Sequence, residues 1–156
     1  MTYRKDIDCL RGISVLAVIL YHFKFDYFSG GYLGVDIFFV ISGFLITSII
    51  LEEISLEKFS LINFYERRIR RLFPALIVVI ITTSFLFEMV FLETEIKKLV
   101  FSIISTILFY ANFYFQDIGS YFSPLNEQQP LLHTWSLSIE EQFYLIFPIL
   151  IYFLLR

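Results

Sequence analysis

The stretch Leu33-Gly34-Val35-Asp36-Ile37-Phe38-Phe39-Val40-Ile41-Ser42-Gly43-Phe44-Leu45-Ile46-Thr47-Ser48-Ile49-Ile50-Leu51 carries a single charge, Asp36. As a helix at about 1.5 Å per residue it would cover roughly 28 Å, close to the ~30 Å hydrocarbon core of a bilayer. Backbone polar groups in lipid must be satisfied internally, so a run of this length and polarity predicts a transmembrane helix. Four more apolar stretches flank it: Ile7 to Phe25, Phe73 to Leu92, Leu99 to Phe115 and Ile139 to Leu155. The expected fold is therefore all-α, a polytopic membrane helix bundle of about five transmembrane helices.

Composition points the same way. The 156 residues are 58% hydrophobic and 20% aromatic but only 17% charged, against about 25% charged in soluble domains. Mean hydropathy is +0.74, and the apolar residues run continuously rather than alternating, which argues strongly against a soluble fold. The net charge of −3, with no sustained basic stripe, argues against a nucleic-acid partner. Cys9 is the sole cysteine, which excludes an internal disulfide or a cysteine-built metal site. Two histidines on separate elements give no recognisable ligand spacing, so no metal is expected.

Arg4 and Lys5 precede the first stretch as they would in a secretory signal, but no small-residue cleavage site follows and four more spans do; the segment reads as a retained helix. Lys and Arg set orientation. With the N-terminus inside, inner segments hold Arg4, Lys5, Lys58, Arg67, Arg68, Arg70 and Arg71, and outer ones hold Lys24, Lys97, Lys98 and Arg156. The expectation is a multi-pass protein of the inner or plasma membrane with a cytoplasmic N-terminus. Counting spans places Gln116 to Ser138 inside, although a re-entrant stretch would reverse its side. Leu56, Phe59 and Ile62 give Ser55 to Leu72 a partly helical apolar spacing, which suits a helix lying in the inner interface.

Ionisable side chains inside a span are expensive, so each needs a reason. Arg11 and His22 are eleven residues apart, which at 100° per residue is about 20° from three full turns. Both fall on one helix face about 16 Å apart, with Asp8 on the same stripe. Either this is a functional polar face, or Arg11 and His22 snorkel to opposite headgroup layers. Gly34, Ser42 and Gly43 allow close approach of a neighbouring helix. Asp36 either faces His22 and raises its basicity or is a helix-start aspartate favoured by the macrodipole. Arg67, Arg68, Arg70 and Arg71 suit anionic lipid heads or nucleotide phosphates, and also serve as a topology signal. In Pro130 to Tyr144, a continuous helix would align His133, Ser136 and Glu140 like a nucleophile, base and acid. The better local fit is a capping box, Ser138 with Glu141, which starts the helix at Ser138 and leaves His133 and Ser136 in the entering loop. His133, Trp135, Ser136, Glu140 and Glu141 are the expected lining of a membrane-embedded pocket.

Four blocks in order, Arg11 with His22, Gly34 to Phe44, Phe64 to Pro74 with its arginines, and His133 to Tyr144, resemble the acyltransferase family 3 membrane proteins, which O-acetylate bacterial surface glycans. The resemblance implies an O-acyltransferase that moves an acyl group, usually acetyl, from acyl-CoA to a sugar hydroxyl. It matches Arg11 and His22 to the residues most often held essential in the family. His22 is then the expected general base, with Arg11 and Asp36 beside it in the catalytic group, and Arg11, Arg67, Arg68 and Arg71 are expected to hold the donor. Acetyl-CoA or another acyl-CoA serves as donor substrate, with no bound cofactor. Expected partners are membrane lipid, a glycan acceptor and a missing C-terminal half, since the family's domain has about ten spans. Residues 1–156 are thus expected to be the N-terminal portion of such a domain. The competing expectation is a catalytically inactive, truncated protein of the same fold.

Overall fold

The computed structural model describes residues 4–90, 96–118 and 129–155, and the regular structure among them is helical. The chain divides into two compact units, Met1–Phe59 and Ser60–Arg156.

The first unit is an antiparallel hairpin of α1 (Lys5–His22) and α2 (Leu33–Ser55), joined through a short 3-10 turn at Asp26–Phe28. Asp6 and Asp8 occupy the first turn of α1, where the positive end of the helix dipole favours them. The guanidinium of Arg4, 2.6 Å from Asp6, pulls that exposed carboxyl down to about 2. Beyond His22 the chain turns with Lys24 in the left-handed region (φ 57°). There Lys24 N–H donates to the Tyr21 carbonyl and Phe25 N–H to that of Leu20, so the last carbonyls of α1 are satisfied within the chain. The end of α2 repeats the device: Glu57 (φ 55°) donates to Ile54, and Lys58 donates to Glu53.

The hairpin's seam is a backbone contact. A Cβ built on Gly34 would lie 2.5 Å from the Ser14 carbonyl oxygen and 2.8 Å from Val18, and one on Gly31 would collide with the Ala17 carbonyl. Ser14 is buried and turns its hydroxyl inward along its own helix, donating to the Leu10 carbonyl at 2.8 Å. The small-residue expectation holds at Gly34 and at buried Ser42, but not at Gly43, where a Cβ would meet open space.

The second unit comprises α3 (Leu61–Val90), α4 (Ile96–Ile107), α5 (Ala111–Ile118) and α6 (Thr134–Leu154). Ser60 caps α3 by accepting from the Asn63 N–H at 3.4 Å. The expected interface helix and third span are one element here, because α3 continues through Pro74. Its first turns carry the arginines, with Arg70 paired to Glu66 at 2.7 Å.

Among the described residues, α2, α3 and α6 are long and apolar enough to cross a membrane, so the chain is a multi-pass helical membrane protein. The count falls short of five for two physical reasons. Helix α1 carries Lys5, Asp6, Asp8 and Arg11 in its first two turns. The fourth stretch, Leu99 to Phe115, is divided into α4 and α5 by a left-handed turn at Phe109 (φ 50°).

That division is held from α6. Gln142 donates its amide to the Phe109 carbonyl at 2.7 Å and to Asn112 at 3.0 Å, and Ser138 accepts from the Ala111 N–H at 3.2 Å. Thr134 and Thr106 share a hydrogen bond of 2.8 Å. Thr134, Ser138 and Gln142 recur every four residues, so they form one polar ladder along α6. This corrects the expected capping box: α6 starts at Thr134, and Ser138 is a buried mid-helix residue whose hydroxyl bridges to α5 and donates to Thr134. A small apolar core of Ala111, Phe115 and Leu132 lies beside the ladder, with Trp135 packed on it.

Candidate functional site

Helix α1 is continuous from Lys5 to His22, so Arg11 and His22 do share a face, separated by about 16 Å of helix rise. Arg11 is half-buried and His22 exposed, at the helix's C-terminal end with its ring edge-to-face against Tyr21 at 5.4 Å. The register of the hairpin separates Asp36 from His22. Gly34 faces Ser14 and Val18, and Asp36 lies two residues on, about 200° round the helix and roughly 12 Å along the pair from the level of His22. Asp36 is exposed on the face of α2 away from the seam, so the structure does not bring it to His22.

The second unit holds a cavity of about 350 Å³. One wall comes from the arginine-bearing start of α3 (Tyr65, Arg68, Ile69, Leu72, Phe73), the end from the turn at Leu108 and Phe109, and the opposite wall from Glu141, Gln142, Tyr144 and Leu145 on α6. The space exists because α3 meets α6 through long side chains. Tyr65 donates its hydroxyl to the Leu145 carbonyl at 2.7 Å, and Arg68 lies against the Tyr144 ring at 4.1 Å. Phe73 closes on Phe109 edge-to-face, with ring centroids 6.4 Å apart. Most of the wall is apolar, with one cation and one carboxylate, Arg68 and Glu141, on it.

Of the five residues expected to line a pocket, Glu141 is on this wall. Trp135 faces the Ala111–Phe115 core instead. Glu140 accepts from the Tyr144 hydroxyl one turn on. His133 is exposed just before α6, and Ser136 donates to the His133 carbonyl rather than to its ring, which removes the triad geometry. Of the four arginines expected to hold the donor, Arg68 lines the cavity, Arg67 and Arg71 are exposed on the same helix, and Arg11 is half-buried on α1. Among the described residues no group of three or more His, Cys, Asp or Glu side chains comes close enough to hold a metal ion.

The acyltransferase-domain profile of family 3 matches residues 4–156. The chain belongs to acyltransferase family 3. Among curated members, it is 41% identical over 156 residues to O-acetyltransferase OatA of Staphylococcus aureus strain NCTC 8325 / PS 47, covering 99% of this chain and 26% of that protein. It is also 41% identical over 149 residues to the peptidoglycan O-acetyltransferase OatA of Listeria monocytogenes serovar 1/2a, covering 94% of this chain and 24% of that one. The chain thus spans about a quarter of the length of the curated relatives it matches. No solved structure matches it significantly.

Within this acyltransferase 3 chain, the residues that sequence reasoning passed over are Tyr65, Gln142 and Tyr144 on the cavity wall. Gln142 was discoverable: its four-residue spacing from Thr134 and Ser138 marks a polar stripe on an otherwise apolar helix. Tyr65 and Tyr144 carry no such signal, since aromatics are common throughout the chain.

Proposed function

We propose that this chain takes part in membrane-bound O-acyl transfer, moving an acetyl group from acyl-CoA to a hydroxyl of a surface glycan. Peptidoglycan is the first candidate acceptor, because the Listeria relative is named for it. The observation that carries the reading is the match of the family profile to residues 4–156, which takes in Arg11 and His22 on one face of an unbroken helix. His22 is the proposed general base: its imidazole accepts the hydroxyl proton as the oxygen attacks the thioester carbonyl, and the C–S bond breaks as the ester C–O bond is completed, so that CoA leaves as the thiolate and takes the proton back from the imidazolium. Guanidinium groups pair with phosphate through charge-assisted hydrogen bonds, which supports Arg68 on the cavity wall as a phosphate contact of the donor, with Arg11, Arg67 and Arg71 proposed for the same chemistry on the strength of the family resemblance. The apolar cavity beside Arg68 suits the pantetheine arm. The excess of Lys and Arg on the segments that would then lie inside supports a cytoplasmic N-terminus. Asp36, on the face of α2 away from the seam, is not placed to orient His22.

The test is transfer of radiolabelled acetyl from acetyl-CoA to glycan in membranes expressing the protein together with any C-terminal segment it requires. His22→Ala is expected to abolish transfer while the protein still inserts, and near-normal transfer would remove the base from His22. Asp36→Asn is expected to leave transfer within about two-fold of wild type.

A further inference from the structure

Arg68 is the cavity's one cation, and its surroundings are specific. Its guanidinium carbon lies 4.1 Å from the centroid of the Tyr144 ring and 5.8 Å from that of Phe64. Both rings are buried. Phe64 precedes Arg68 by one turn of α3, and Tyr144 is anchored in turn by its hydroxyl to Glu140. A guanidinium carries all five N–H donors in its own plane and none on its faces. Contact with aromatic rings therefore restrains the long side chain without consuming the donors that a phosphate needs. Loss of the rings would free several rotatable bonds, whose ordering would then oppose ligand binding.

Building on the donor-site reading above, we propose that Tyr144, fixed by Glu140 and seconded by Phe64, is a positioning residue that holds Arg68 at the cavity for a phosphate group of the acyl-CoA donor. Tyr144 touches Arg68 rather than the reacting atoms, so it governs donor affinity and leaves the acyl-transfer step alone.

The experiment is titration of detergent-purified protein with acetyl-CoA at several salt concentrations, alongside thermal unfolding of each variant. Arg68→Ala is expected to weaken binding about ten-fold or more and to flatten its salt dependence. Tyr144→Leu is expected to weaken binding by about three- to ten-fold and to flatten the salt dependence towards that of Arg68→Ala. Tyr144→Phe keeps the ring but loses the hydroxyl's bond to Glu140, so its affinity should fall between those of wild type and Tyr144→Leu. Phe64→Leu provides a second probe if Tyr144→Leu fails to accumulate, with a smaller loss of the same kind. Unchanged binding in Arg68→Ala would overturn the donor-site reading itself. Weakened binding in Arg68→Ala with wild-type affinity and salt slope in Tyr144→Leu or Phe64→Leu would leave that reading standing and overturn the positioning role. A lowered melting temperature with an unaltered salt slope would make the rings structural only, which also overturns it.

Discussion

The two units hold their helices together by opposite means. In the α1–α2 hairpin, glycine lets one backbone rest on another, and buried Ser14 satisfies its hydroxyl within its own helix. In the second unit, Thr134, Ser138 and Gln142 reach across to α4, α5 and the turn between them. Helices in lipid gain little from apolar burial against each other, so close van der Waals contact and interhelical hydrogen bonds are the two routes to specific packing. The first route leaves no room. The second holds elements at arm's length, and between α3 and α6 it leaves the cavity that carries Arg68 and Glu141.

The comparison is easiest to break at its tightest point. Gly34→Val would press a branched side chain into the Ser14 carbonyl, a backbone atom that cannot swing away. The expected cost is about 3 kcal/mol, seen as loss of the folded protein by thermal unfolding in detergent. The polar unit should yield less to any one change. Gln142→Leu strips the Phe109 carbonyl and Asn112 of their shared donor and should cost about 2 kcal/mol, with Ser138→Ala costing about 1. Because these groups act along one ladder, the double variant should depart from additivity, whereas Gly34→Val combined with Gln142→Leu should be additive if the units are energetically independent. Tyr65→Phe, which removes the hydroxyl bond to Leu145, should cost about 1 kcal/mol. At the small end, Gly43→Ala enters open space on α2 and should stabilise by about 0.5 to 1 kcal/mol through helix propensity. A destabilising Gly43→Ala would mean that a second close contact exists on that face.

Legibility in the sequence follows the same division. Helix α2 was readable because an apolar run of that length has one solution in lipid, and Gly34 because small residues mark close approach. The Arg11–His22 stripe was readable because it depends only on helix periodicity, which α1 obeys. What failed were features decided by a partner element. Leu99 to Phe115 looks like one span until Gln142 and Ser138 are placed against its middle. Ser138 with Glu141 satisfies a capping pattern, yet the hydroxyl is claimed by α5. Asp36 and His22 share a membrane end on paper, but the Gly34 contact sets a register that turns the carboxylate away. Local signals could not weigh the competitors of the α4–α5 turn and of Ser138, because those atoms lie 27 to 33 residues away in the chain, nor the register of Asp36, which is set by a contact between Gly34 and Ser14 on different helices.

The turn at Phe109 has a consequence for the order in which the protein is made. Among the described residues, its carbonyl and the Ala111 N–H find their partners on α6, which begins at Thr134. A ribosome delivers the turn before that helix, and an open backbone group is costly in hydrocarbon. The turn between α4 and α5 therefore gains these hydrogen bonds only after α6 has been made, so its seating is a late step in assembly.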